Sequence, residues 1–207
     1  MKGLFITFEG PDGAGKTTQI NMLKEYLTSK GYDVVLTREP GGTAIGEKIR
    51  NVILDVENKE MDDICEALLY AASRAQHVKQ LILPSIDQGK IVICDRFVES
   101  SIVYQGYARG LGEDKIEAIN NIATRGLVPD VVFLLMLTPE EGIKRKKKSG
   151  ELDRLEMEKL EFHNRVYEGY NRLKERRKNI FEIDATLDID DIHNRIVRVV
   201  ESLLREE

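Results

Sequence analysis

The residues that could do chemistry begin with Gly10-Pro11-Asp12-Gly13-Ala14-Gly15-Lys16-Thr17, which fit the spacing G-x-x-x-x-G-K-[ST]. Each part of that pattern serves a polyphosphate. Glycines let successive backbone N–H groups turn toward one point, and a helix beginning there adds the positive end of its dipole. Lys16 can reach the outer phosphates, and the Thr17 hydroxyl can ligate Mg²⁺. With glycine near 7% of average composition, the four fixed positions arise by chance on the order of once in a hundred such chains.

A second set of charged residues suggests a second anion beside the first. Arg38 follows one apolar run and Asp95-Arg96 follow another, while Arg50 and Arg74 fall on helical patterns between them. A carboxylate at the end of a buried strand is costly without a cation or donors, so Asp95 reads as a partial ligand, through water, of Mg²⁺ held directly by Thr17. The alternative is an ion pair between Asp95 and neighbouring Arg96. From Lys144 to Lys148 five basic residues run together, followed by the hinge-like Ser149-Gly150 and then Asp153-Arg154. Such a run is either the solvated face of a helix or a lid, at about residues 143–156, that closes Arg145 or Arg154 over phosphate.

These groups need a frame, and the apolar pattern supplies one. Runs rich in β-branched and aromatic residues at Leu4–Phe8, Val34–Leu36, Ile91–Cys94, Val131–Leu137 and Ile180–Ile183 read as buried strands. Between them, spacings of three and four (Ile20, Leu23, Leu27; Ile45, Ile49, Ile53; Ile64, Leu68, Ala71, Ala75, Val78) predict helices, and a last helix spans Asp190–Leu204. Pro84 reads as the end of a helix. Alternation of this kind predicts a doubly wound α/β domain, with a five-stranded parallel sheet and helices on both faces, over the whole of 1–207. Ligands then gather beyond the carboxyl ends of the strands.

Composition narrows the partners. The 207 residues carry 31 basic and 36 acidic side chains, a net charge of -5, which argues against nucleic acid or an anionic membrane as the main partner. The start of the chain offers no secretory segment and no stretch long enough to span a bilayer, so the expected compartment is the cytoplasm. Cys65 and Cys94 read as buried thiols, and His77, His163 and His193 as surface or interface residues without metal spacing. No N-K-x-D guanine reader is present: Asn58-Lys59-Glu60-Met61 lacks the aspartate.

Taken together, Phe8-Glu9-Gly10 with Asp12 to Gln19, Arg38-Glu39-Pro40-Gly41-Gly42-Thr43, Leu69 to Arg74, Asp95-Arg96-Phe97 and Tyr104-Gln105-Gly106 resemble thymidylate kinases of the P-loop nucleoside monophosphate kinase superfamily, over essentially the whole chain. Gly13, where another branch of that family carries arginine, and the basic stretch near Arg154 resemble the bacterial form whose catalytic arginine comes from the lid. The resemblance implies ATP·Mg²⁺ held by Gly10 to Thr18, with adenine near the loop after Ile183. It implies dTMP held with Tyr70 on the thymine face, Arg74 donating to the base, and Ser101 and Gln105 at its edge. Tyr104 would crowd the 2′ position, Asp12 and Glu39 would lie near the 3′-hydroxyl, and Arg38, Arg50 and Arg96 would hold the acceptor phosphate. It also implies a cis Glu39-Pro40 bond and a homodimer formed through helices.

The reading these observations favour is phosphorylation of dTMP to dTDP by ATP, a step toward dTTP, with Lys16, Arg96 and Arg145 or Arg154 acting on the transferring phosphate. Another nucleoside monophosphate kinase (for dUMP, UMP or CMP), a P-loop switch without acceptor, and a structural α/β domain remain open alternatives. If Arg96 acts on the transferring phosphate, Arg96→Ala lowers turnover about a hundredfold while the fold survives, which steady-state kinetics and circular dichroism check together.

Overall fold

The computed structural model describes residues 3–146 and 153–205. Strands β1 (Leu4–Glu9), β2 (Val34–Arg38), β3 (Ile91–Asp95), β4 (Val131–Met136) and β5 (Ile180–Asp184) form one sheet in the order β2-β3-β1-β4-β5. Every pairing is parallel. β1, β3 and β4 are apolar on both faces because helices cover both sides, as parallel sheets require. The expectation of five buried strands needs correction at the edges. β2 and β5 have a neighbour on one side only, and Leu36 and Phe181 are exposed.

On one face, helix α1 (Lys16–Ser29) packs Ile20, Leu23 and Leu27 with Ile192, Ile196 and Val200 of α9 (Ile189–Arg205), against Ile6, Phe8, Ile93 and Phe133 of the sheet. Helices α2 (Ala44–Leu54) and α3 (Asp63–His77) follow β2, capped by the side chains of Thr43 and Asp62. The spacing that predicts them places Ile53, Ala71 and Val78 inside. Ile45, Ile64 and Leu68 share that spacing yet stay 51, 56 and 50% exposed, and Cys65, expected to be buried, is also at the surface. Pro84 does not end the helical path. A π-helical turn at Val78–Ile82 leads into the short α4 (Leu83–Asp87), and Pro84 falls in its first turn, where a missing N–H costs little.

The remaining helices are α5 (Val98–Ser101), α6 (Glu113–Thr124), α7 (Pro139–Lys146) and α8 (Leu160–Arg176). Between α5 and α6 a second π-helical stretch, Ile102–Ala108, packs against α8 through Val103, Tyr104 and Tyr170. Register fixes the level of everything at the carboxyl edge. Phe8 and Arg38 both pair with Asp95, so the loops after β1, β2 and β3 leave the sheet side by side. The strand order reverses at β1, and the crevice this opens is where such sheets bind ligands.

Candidate active site

The loop between β1 and α1 is held by backbone contacts that admit only glycine. Gly10 has φ 131, and a Cβ there would sit 2.1 Å from the Leu135 carbonyl oxygen of β4. Gly13, at φ 78, leaves no room either, because its Cβ would lie 2.4 Å from the Gly142 carbonyl oxygen of α7. Pro11 and Ala14 are buried beneath the loop, while Thr17 and Thr18 are exposed on its rim. The Lys16 ammonium donates to the carbonyls of Gly10 and Pro11, both at 3.0 Å. Burial, and then the nearby Arg96 guanidinium, lower its pKa to about 8.

Arg96 ties the loop to β3. Its backbone is left-handed at φ 67, and its N–H donates to Phe8 O at 2.9 Å. The guanidinium donates to Gly10 O at 3.1 Å, Ser100 Oγ at 3.0 Å and Asp12 Oδ1 at 2.5 Å, and lies 5.2 Å from the Tyr104 ring centroid. Burial alone would lower the Arg96 pKa, but Tyr104, Asp12, Tyr170 and Asp95 outweigh it and raise it well above its ordinary value. The partner of Arg96 is therefore Asp12, in place of the neighbouring Asp95. Asp95 Oδ1 is buried and, among the described residues, has no hydrogen-bond partner.

One cavity of about 590 Å³ runs from this loop to α3. Asp12, Gly13, Gly15, Lys16, Thr17, Thr18, Asp95 and Arg145 are among its lining residues, as are Arg38, Glu39, Arg50, Tyr70, Arg74, Arg96, Ser101, Tyr104 and Gln105. Arg38 and Arg50 both donate to the Pro40 carbonyl, at 2.9 and 3.0 Å, and Arg38 also pairs with Glu47. Arg74 is buried and donates to Glu39 at 2.7 Å, Ser101 Oγ at 3.0 Å, Phe97 O at 2.8 Å and Asn120. The Tyr104 hydroxyl reaches Asp12 Oδ2 at 3.3 Å, and Gln105 Nε2 donates to Glu66 at 2.9 Å. The Glu39-Pro40 bond is cis.

Two basic candidates part company. Arg145 lines the cavity and donates to Ala185 O at 3.3 Å. Arg154 is not on its wall: it donates to Ile53 O at 2.9 Å and Glu66 at 2.5 Å. Residues 147–152, the middle of the expected lid, lie outside the described residues.

Two buried residues behind the cavity were not expected to hold its lining. Glu9 is buried at the end of β1 and accepts from Phe97 N at 2.7 Å, Ser100 Oγ at 2.5 Å and the Tyr170 hydroxyl at 3.0 Å. Its signal was a carboxylate inside an apolar strand. His77, read from sequence as a surface residue, is instead fully buried between Glu39 Oε1 at 2.9 Å and Thr37 Oγ1 at 2.7 Å. The spacing of α3 hides this, since it puts His77 at the helix end with nothing local to mark its partners.

The oxygen donors suit a hard cation. Asp95, whose Oδ1 is orphaned, and Thr17 both line the cavity, and no cluster of three or more metal-binding side chains occurs among the described residues. That is the donor set of an ion that keeps water and phosphate in most of its positions, as Mg²⁺ does.

A phosphate-binding loop joined through Arg96 to a second basic pocket, on a doubly wound parallel sheet, defines a P-loop nucleotide kinase. A family model described as thymidylate kinase matches residues 8–196. The thymidylate kinase of Thermoanaerobacter sp. (strain X514) is 53% identical over 205 residues, 99% of this chain and 100% of that relative. That of Finegoldia magna is 51% identical, over 95% of this chain and 97% of its own. The crystal structure of thymidylate kinase from Ehrlichia chaffeensis superposes with a TM-score of 0.79 at 35% identity, covering 97% of this chain and 99% of that one. The chain belongs to the thymidylate kinase family.

The depressed Lys16 pKa has a signed consequence. Bound phosphate favours the charged ammonium and raises its pKa, so between the free value near 8 and the bound value nucleotide binding takes up a proton. Titration calorimetry at pH 8.5 in buffers of different ionisation enthalpy should therefore show proton uptake on ATP binding, with affinity falling as pH rises further. The Lys16→Met variant should lose this uptake.

Proposed function

We propose that the protein transfers the terminal phosphate of ATP to the phosphate of dTMP, giving ADP and dTDP for dTTP synthesis. The observation that carries this is the shared cavity: Lys16 and Thr17 at one end, Arg38, Tyr70, Arg74 and Gln105 at the other, with Arg96 on its wall. Two nucleotides can meet there end to end. An acceptor phosphate is already anionic near neutral pH, so the residues need to align and neutralise, with no general base and no covalent enzyme intermediate.

In this reading the loop from Gly10 to Thr18 cradles the donor phosphates, and Lys16 neutralises the outer ones. Thr17 and Asp95 would hold Mg²⁺, which when bound supplies charge neutralisation to the phosphates. Arg38 and Arg50, steadied by the Pro40 carbonyl, take the acceptor phosphate, while Arg96 faces the transferring group from a position fixed by Asp12 and Gly10. Tyr70 offers an aromatic face to the base, and Arg74, Ser101 and Gln105 read its polar edge. Tyr104 crowds the sugar beside Asp12 and Glu39. Arg145 is the lid-root cation that points into the cavity, and Arg154 serves as a strut on Glu66. The cytoplasm is the compartment we assign; no helix among the described residues is long and apolar enough to cross a membrane.

The exposed side chains Ile45 and Val52 of α2 and Ile64 and Leu68 of α3 support a homodimer, since the two helices pack together and leave these apolar groups outward. Sedimentation at micromolar concentration should give a dimer, and Leu68→Asp should shift it toward monomer; a monomeric wild type overturns the assignment. Function is tested by steady-state assays with ATP and dTMP, dUMP, UMP, CMP, AMP or GMP. The expected result is a preference of about tenfold or more for dTMP over every other acceptor. Equal turnover of a different base, or hydrolysis of ATP indifferent to acceptor, would remove this reading.

A further inference from the structure

Glu66 is a buried carboxylate on α3, one turn before Tyr70 and therefore on the same side of the helix, but it does not line the cavity. Its two oxygens have divided duties. Oε2 accepts from Arg154 at 2.5 Å and from Arg109 at 3.3 Å, and Arg109 is itself anchored to Glu158 at 2.6 Å and to Asp63 at 3.3 Å. Among the described residues Oε1 accepts from a single partner, the Gln105 side-chain amide, at 2.9 Å. Gln105 is almost wholly buried and lines the acceptor end of the cavity beside Tyr70, Arg74 and Ser101.

A carboxylate gripped by two guanidinium groups can only accept. Chemistry, more than shape, then sets the orientation of Gln105: the –NH₂ must face Glu66, because the reversed amide would press its oxygen against a carboxylate oxygen. The Gln105 oxygen is left as the end that is free to meet a base, and among the described residues the one side-chain hydrogen bond of Gln105 is that of its –NH₂ to Glu66. An oxygen at that place asks for a donor. Thymine and uracil carry a hydrogen on ring nitrogen N3, whereas cytosine presents a lone pair there.

We infer that Glu66 is a specificity-determining positioning residue: by orienting the Gln105 amide from behind, it makes the pocket accept pyrimidines protonated at N3 and reject cytosine. Arg109 and Arg154 hold the carboxylate in place, so the base edge is braced by residues that never touch the nucleotide. The inference rests on the reading of Gln105 as a base-facing residue.

The test compares wild type, Glu66→Gln and Gln105→Leu by kcat/KM for dTMP and dUMP, by the inhibition constant of dCMP against dTMP, and by KM for ATP. In Glu66→Gln the neutral amide can donate or accept, so Gln105 is free to reverse. The preference for dTMP over dCMP should narrow about tenfold or more, because a buried partner is no longer forced into one polarity. The ratio of dTMP to dUMP and KM for ATP should stay within about twofold, which a general loosening of the fold would not allow. If Glu66→Gln does not fold, Glu66→Gln with Arg109→Gln removes a cation together with the carboxylate and gives the same readout. An unchanged dTMP-to-dCMP preference in the folded Glu66 variant, while Gln105→Leu loses it, overturns the role of Glu66. If Gln105→Leu leaves that preference intact, the reading of Gln105 fails and takes the inference with it.

Discussion

Charge repulsion between two phosphate chains is the constraint that the proposed transfer must overcome, and in that proposal Arg96 is where it is met. The guanidinium cannot wander. Its backbone is fixed in a left-handed turn, its N–H is bound to β1, and its side chain grips Gly10 and Asp12 of the phosphate-binding loop. A cation already in place loses no conformational freedom when the anions arrive, so its attraction acts in full on the charge that develops between them. The same contacts brace the loop, so in the proposed reaction one side chain would both position the donor site and face the acceptor.

Three carboxylates, Glu9, Glu39 and Glu66, are buried in the structure, each accepting on both of its oxygens. Glu9 takes two backbone N–H groups and two hydroxyls, Glu39 takes Arg74 and His77, and Glu66 takes Gln105 and two arginines. Isolated charges here would be costly, and truncating one partner leaves the other uncompensated in a dry setting. The gain is rigidity. Polar groups that must present one face to a ligand are held from the opposite side, and the cavity wall is set before any nucleotide enters.

How much of this could be read from the residues follows from the range of the interactions. Apolar runs gave the strands, and Gly10 to Thr17 gave the loop, because both are written in neighbouring residues. Edge position cannot be read that way, which is why β2 and β5 were expected to be buried as fully as β1. The convergence of Arg38 and Arg96 was legible because both follow strands, and register brings strand ends together. His77 and Glu66 were not, since their partners lie 38 and 39 residues away and on other elements. Arg154 shows the opposite case: a basic residue beside a basic run invites a phosphate role, yet its partner is a buried acid on α3.

The tight seam between Gly13 and Gly142 bears on how such enzymes can diverge. Backbone meets backbone there, so the turn that carries the donor phosphates and the root of α7 are fitted to each other with no slack. A single replacement at position 13 therefore cannot add a side chain while α7 keeps its present seat: the turn and the helix root can change only together.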